Sequence, residues 1–113
     1  MRGRIVLVAF PFDDLSAAKV RPALCITDPV GRHGHVVVAF ITSSVQAGGP
    51  ELASDLVLMP DTQEFAATGL HVASTIRLHR LLTLTLAMMP RQLGQLSPRL
   101  HAEAVRRLHE LIG

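Results

Sequence analysis

The sequence predicts a mainly β fold with added α: a small, largely antiparallel, barrel-like sheet backed by a C-terminal helix. Three observations lead there. Short apolar runs rich in Val, Ile and Leu recur from Arg4 onward, each bounded by Pro, Gly, Asp or Ser. The chain is 113 residues long, enough for one hydrophobic core and too short for two, so residues 1–113 are expected to form a single domain. From Ser97 the apolar spacing changes to that of a helix.

The run Arg4 to Phe10 is β-branched and continuously apolar, which fits a strand buried on both faces. Pro11 ends it, and Asp13, Asp14, Ser16 and Lys19 make a polar loop long enough to carry function. The two aspartates read more simply as turn residues than as Mg²⁺ ligands, because no further acid joins them. Val20 to Thr27 forms a second strand, with Pro22 tolerable only near its start or on an edge. After the turn residues Asp28 to Gly34, His35 to Ile41 gives a third strand that runs into Thr42-Ser43-Ser44. Hydroxyls there can cap the backbone or face a ligand.

Residues 46–54 form a loop, followed by a short strand from Asp55 to Met59. Asp61 and Glu64 have the spacing of a helical cap, and Gly69 ends that turn. Ser74 to Leu78 and Leu82 to Ala87 read as two more strands, the second with period-two alternation. Between them lie Arg77, His79 and Arg80. Ser97-Pro98 then opens an amphipathic helix with Leu100, Ala104, Val105, Leu108, Leu111 and Ile112 on one face. Its arginines alternate with Glu103 and Glu110 and read as a solvated surface.

Composition narrows the class. Hydrophobic residues make up 49% and charged residues 18%, which excludes a disordered tail. No apolar run is long enough to span a bilayer and no signal peptide opens the chain, so a cytoplasmic location without membrane contact is expected. Cys25, the single cysteine, lies between Leu24 and Ile26 and reads as an inert core residue. His33 and His35 flank Gly34 without the further ligands a zinc site needs, so neither metal nor cofactor is expected. Ten of the eleven cations are arginine, a bias toward phosphate or carboxylate partners.

Arg21, Thr42 with Ser43, and Arg77 with His79 all fall at strand ends. Metal-free RNA cleavage needs a base for the 2′-hydroxyl, an acid for the leaving oxygen, and cations or hydroxyls to hold the charged phosphorane. A histidine suits the base and arginines suit the clamp. Spacing puts Arg77 and His79 on one face of a strand.

These residues also carry a resemblance. Arg4-Ile-Val-Leu-Val, Lys19-Val20-Arg21-Pro22-Ala23-Leu24, Phe40-Ile41-Thr42-Ser43, Gly69-Leu70, Ser74, Thr83-Leu84 and Leu93-Gly94-Gln95-Leu96 follow one another as in the MazF/PemK-like toxins. The resemblance covers nearly the whole chain. It implies an SH3-like barrel, a homodimer, metal-independent cleavage of single-stranded RNA, and neutralisation by a cognate antitoxin whose flexible tail covers the RNA groove.

By the same resemblance Arg21, Thr42, Arg77 and His79 are the expected catalytic residues, with Lys19, Ser43 and Arg80 as RNA-binding residues. Arg77 matches an arginine proposed as acid, and His79 stands where PemK-type members carry an aspartate proposed as base. The usual Asp-Gln pair is His79-Arg80 here, and Ala17-Ala18 replaces a loop glycine. Two alternatives stand beside this reading: a non-catalytic gyrase-binding toxin of the CcdB type, and a degenerate member that only binds antitoxin. The ending Leu111-Ile112-Gly113 lacks the aromatic terminus of the gyrase poisons.

Overall fold

Six strands, β1 (Arg4–Phe10), β2 (Lys19–Cys25), β3 (Val36–Thr42), β4 (Asp55–Leu58), β5 (Ser74–Leu84) and β6 (Arg91–Gln95), precede one helix, α1 (Pro98–Ile112). The computed structural model describes residues 1–10, 19–45 and 49–113, without the side chains of Phe10 and Lys19. Asp13, Asp14 and Ser16 of the expected polar loop, and the alanines at 17 and 18, lie outside the described residues.

The strands form one antiparallel curled sheet, a half-barrel, in the order β4-β5-β3-β2-β1-β6. The curled sheet with its terminal helix is the fold class the sequence predicts. Because the sheet is covered on both faces, its inner strands are apolar on both. Ile5, Leu24, Ala39, Ile41, Ile76 and Leu78 pack with Leu100 and Ala104 of α1. Val6, Val8, Ala23, Cys25, Val36 and Val38 form a second cluster with Leu84. The continuous apolar run of β1 is thereby explained, since successive residues supply opposite clusters.

Pro22 sits in β2 opposite Leu7 of β1, while pairing with β3 begins only at Ala23. Strand β2 is thus an edge at that point and the missing N–H breaks no ladder. Two stretches differ from expectation. Residues 74–84 make one strand, not two, and residues 91–95 add a strand beside β1 that polar side chains and Gly94 conceal. The expected turn at Asp61 is a 3-10 helix, Gln63–Thr68, whose cap position is Thr62.

Ser97 does cap α1: its Oγ accepts the Leu100 N–H at 3.2 Å, and Pro98 occupies the first turn. The same hydroxyl donates to Glu64, which also pairs with Arg99, so the 3-10 helix and the start of α1 are tied together. Gly69 ends the 3-10 helix with φ +74°, the left-handed region that favours glycine. Further along α1, Arg106 and Arg107 both bond Glu103, at 2.5 and 2.7 Å. The Arg106 bond, then that of Arg107, holds the Glu103 carboxyl down at about 2. Arg107 also donates to the carbonyls of Ala53 and Asp55, both at 2.9 Å, pinning the helix to the start of β4. Arg99 and Arg106 stay mostly exposed, the solvated surface that the interleaved acids predict, whereas Arg107 is partly buried against β4.

Candidate active site

The expected site residues Arg21 and Thr42 fall where the pairing of β2 with β3 has ended. That pairing stops at Ala23 and Phe40, and continuing that register sets Arg21 opposite Thr42. On the other side of β3, Thr42 pairs with Thr75 and Phe40 with Arg77. Register partners in a sheet point the same way, so Arg21, Thr42, Phe40, Thr75 and Arg77 share one face at one end of the sheet. On that face Arg21 is exposed, Phe40, Thr42 and Arg77 are partly buried, and Thr75 is buried.

The hydroxyl cluster after β3 is anchored to this end. The Thr75 hydroxyl donates to the Ser44 carbonyl at 3.0 Å, and the Ser44 N–H donates to Thr42 Oγ1 at 3.2 Å. Ser43, between them, is exposed. Lys19 begins β2 opposite Phe10, at the same end of the sheet.

Strand β5 carries an irregularity that reorders the basic group. Ala39 pairs with Leu81 but the next β3 residue, Phe40, pairs with Arg77, so Leu78, His79 and Arg80 are extra residues without a β3 partner. Pairing with β4 also begins only at Arg77. Such a bulge breaks the strict alternation of side chains and re-aims them. Leu78 turns into the core under α1. Arg80 lays its guanidinium over the Phe40 ring, 4.5 Å from the centroid, a cation–π contact on the Arg77 face.

His79 departs from the expectation that it lies beside Arg77. It lines a hollow of about 390 Å³ with Leu52, Ala53, Ser54, Arg107, Glu110 and Leu111, between the start of β4 and the end of α1. Arg77 lines a different one, with Ser44, Pro50, Glu51, Asp55 and Thr75. The period-two argument fails because the bulge lies between the two residues. Arg80, not His79, shares the face of Arg77.

Two acids that sequence reasoning passed over grip Arg77. Its Nε stands 2.9 Å from Asp55 Oδ1, close enough for an ion pair although the angle is not that of a hydrogen bond, and neither atom has another hydrogen-bond partner among the described residues. Asp55 is 1% exposed and Arg77 21%. Asp55 Oδ2 accepts the Leu52 N–H at 3.2 Å, which closes the turn before β4. On the outer side Arg77 Nη1 lies 3.5 Å from Glu51 Oε2, a carboxylate that is 55% exposed. A signal for Asp55 existed in the sequence: an acid at the head of the buried run Leu56-Val57-Leu58 needs a partner.

Elsewhere Cys25 is buried, and that burial pushes its thiol up, away from the reactive thiolate. Among the described residues no three His, Cys, Asp or Glu side chains gather where they could hold a metal ion. No helix among them is long and apolar enough to cross a membrane. What the site offers chemically is a set of cations, Arg21, Arg77 and Arg80, around Thr42 and exposed hydroxyls. Such a set can hold an anion and stabilise added negative charge.

The fold has several known counterparts. The Mycobacterium tuberculosis toxin MazF-mt6 superposes with a TM-score of 0.71 over 96% of this chain and 95% of its own, at 21% identity. A mycobacterial endoribonuclease solved in complex with its cognate antitoxin gives 0.73 over 100% and 94%, at 14% identity. MazF in the MazE-MazF structure from Deinococcus radiodurans gives 0.69 over 99% and 93%, at 20% identity. No curated protein sequence matches the chain. Residues 1–112 match the family described as PemK-like, MazF-like toxin of type II toxin-antitoxin system. The chain therefore belongs to the PemK-like, MazF-like toxin family.

Proposed function

We propose that the protein is a cytoplasmic endoribonuclease toxin that cuts single-stranded RNA without a metal ion. The observation that supports this reading most is the gathering of Arg21, Thr42, Arg77 and Arg80 on one face where β2 and β3 part. In the reaction the ribose 2′-oxygen bonds to phosphorus while the bond from phosphorus to the 5′-oxygen breaks. The 2′-hydroxyl gives up its proton to water or a nearby acceptor, and the 5′-oxygen takes one up. Negative charge grows on the phosphorane, and Arg21 and Arg77 hold it from two strands while Thr42 donates from between them. Lys19, Ser43 and Arg80 extend the contact along the RNA backbone, Arg80 being held over the Phe40 ring.

Single-stranded RNA should be cleaved in EDTA, leaving a 5′-hydroxyl and a 2′,3′-cyclic phosphate or its opened form. Strict dependence on Mg²⁺ would sink the mechanism. Chemical analysis of the product ends decides it.

The partner we infer is an antitoxin with an acidic segment laid over the same cations, binding a toxin homodimer. The solved relatives with antitoxins support it. So does exposed apolar surface at Val105, Leu111 and Ile112 on the helix. Light scattering should give twice the monomer mass at micromolar concentration, and addition of antitoxin should raise it further, less so at high salt. A monomer at that concentration would count against the pair.

A further inference from the structure

Arg77 is bracketed by two carboxylates of opposite accessibility. The inner one, Asp55, is 1% exposed and reaches Nε at 2.9 Å. The outer one, Glu51, is 55% exposed and stands 3.5 Å from Nη1. We propose that Glu51 occupies, in the RNA-free protein, the place on Arg77 that a phosphodiester takes, so that it competes with substrate as a built-in anion. The inference rests on the reading of this face as an RNA site.

The division of labour follows from burial. A guanidinium has one edge for Asp55 and a separate outer nitrogen left for a second anion. Removing the inner carboxylate would leave a poorly hydrated cation, so Asp55 keeps Arg77 in place whatever happens outside. The outer pair is looser, longer and largely in water, the kind of contact worth little and easily exchanged. Pro50 and Ser44 flank Glu51 in the same hollow, which is polar and too small for a base but open to an anionic oxygen. A phosphodiester approaching Arg77 meets the Glu51 carboxylate first and has to displace it.

Two measurements on the full-length protein test this. In the first, Glu51→Gln should lower KM for a single-stranded RNA about fivefold at low salt, the upper range for one exposed ion pair, with kcat unchanged. The same substitution in an Arg77→Ala background should do nothing to the affinity for an uncleavable 2′-O-methyl RNA, because the effect passes through Arg77. Equal tightening in both backgrounds would mean generic loss of a negative charge and overturn the proposal. A fall in kcat would also overturn it, since Glu51 would then be a proton acceptor in the reaction.

The second measurement needs no RNA. The Arg77 Nε–H resonance is followed while inorganic phosphate is added, and the midpoint should fall about fivefold in Glu51→Gln. If phosphate behaves so but no RNA is bound or cut, the competing anion stands and the ribonuclease reading falls. If RNA is cut while Glu51→Gln changes neither KM nor the phosphate midpoint, the reading stands and the competitor falls.

Discussion

Gly94→Ala is expected to destabilise the protein by about 3–5 kcal/mol, lowering Tm by roughly 20 °C. Gly94 lies in β6 where that strand passes the 3-10 helix. A Cβ there would drive into the Ala67 carbonyl and stand 2.5 Å from the Thr68 carbonyl carbon. Both obstacles are main chain, which cannot rotate aside as a side chain can. Gly69 answers it from the other side: its Cβ would strike the Leu93 carbonyl, 2.6 Å from that carbon, and its φ of +74° already disfavours any other residue. The two glycines thus serve one close approach of β6 to the 3-10 helix. Thermal unfolding followed by circular dichroism measures the effect. A loss below about 1 kcal/mol for Gly94→Ala would show that the two backbones are not in contact.

That crossing also shows what could be read from the sequence and what could not. Gly69 announced the end of a helical turn, because a turn end is a local matter of φ. The β6 strand stayed hidden: Arg91, Gln92 and Gln95 carry no apolar alternation, and a glycine inside a strand argues against one unless another backbone must come close. Strand β1 and helix α1 were legible because an apolar run and a Ser-Pro start are local signals that the packing then used. The candidate site was legible in its residue types and only partly in its geometry. The register of β2, β3 and β5 puts Arg21, Thr42 and Arg77 on one face at one end of the sheet. His79 does not, because the bulge at 78–80 is set by pairing with residues near 39 and 40, which local alternation cannot reveal. Asp55 escaped for the same reason, its meaning depending on its pairing with Arg77.

Arg77→Ala is expected to lower kcat for RNA cleavage by about 10²–10³, the usual loss when one group aimed at developing charge is removed. The variant has a second cost. Asp55, 1% exposed, would keep a carboxylate without its cation, which in a buried pair costs about 3–5 kcal/mol and less here because Arg77 is partly exposed. Rates must therefore be read well below the variant's melting temperature. Arg21→Ala supplies the comparison at a side chain that is exposed on β2. It should lose about 10²-fold in kcat with Tm almost unchanged. His79→Ala should cleave within about threefold of the parent, because its ring lines the hollow beside α1. A hundredfold loss on His79→Ala would return the base role to that histidine and require β5 to realign at the bulge when RNA binds. Full activity in folded Arg21→Ala and Arg77→Ala would remove the electrostatic clamp altogether. If both arginine variants fail and His79→Ala survives, charge stabilisation from β2 and β5 carries the reaction, and the proton moves through solvent or a group outside those two strands.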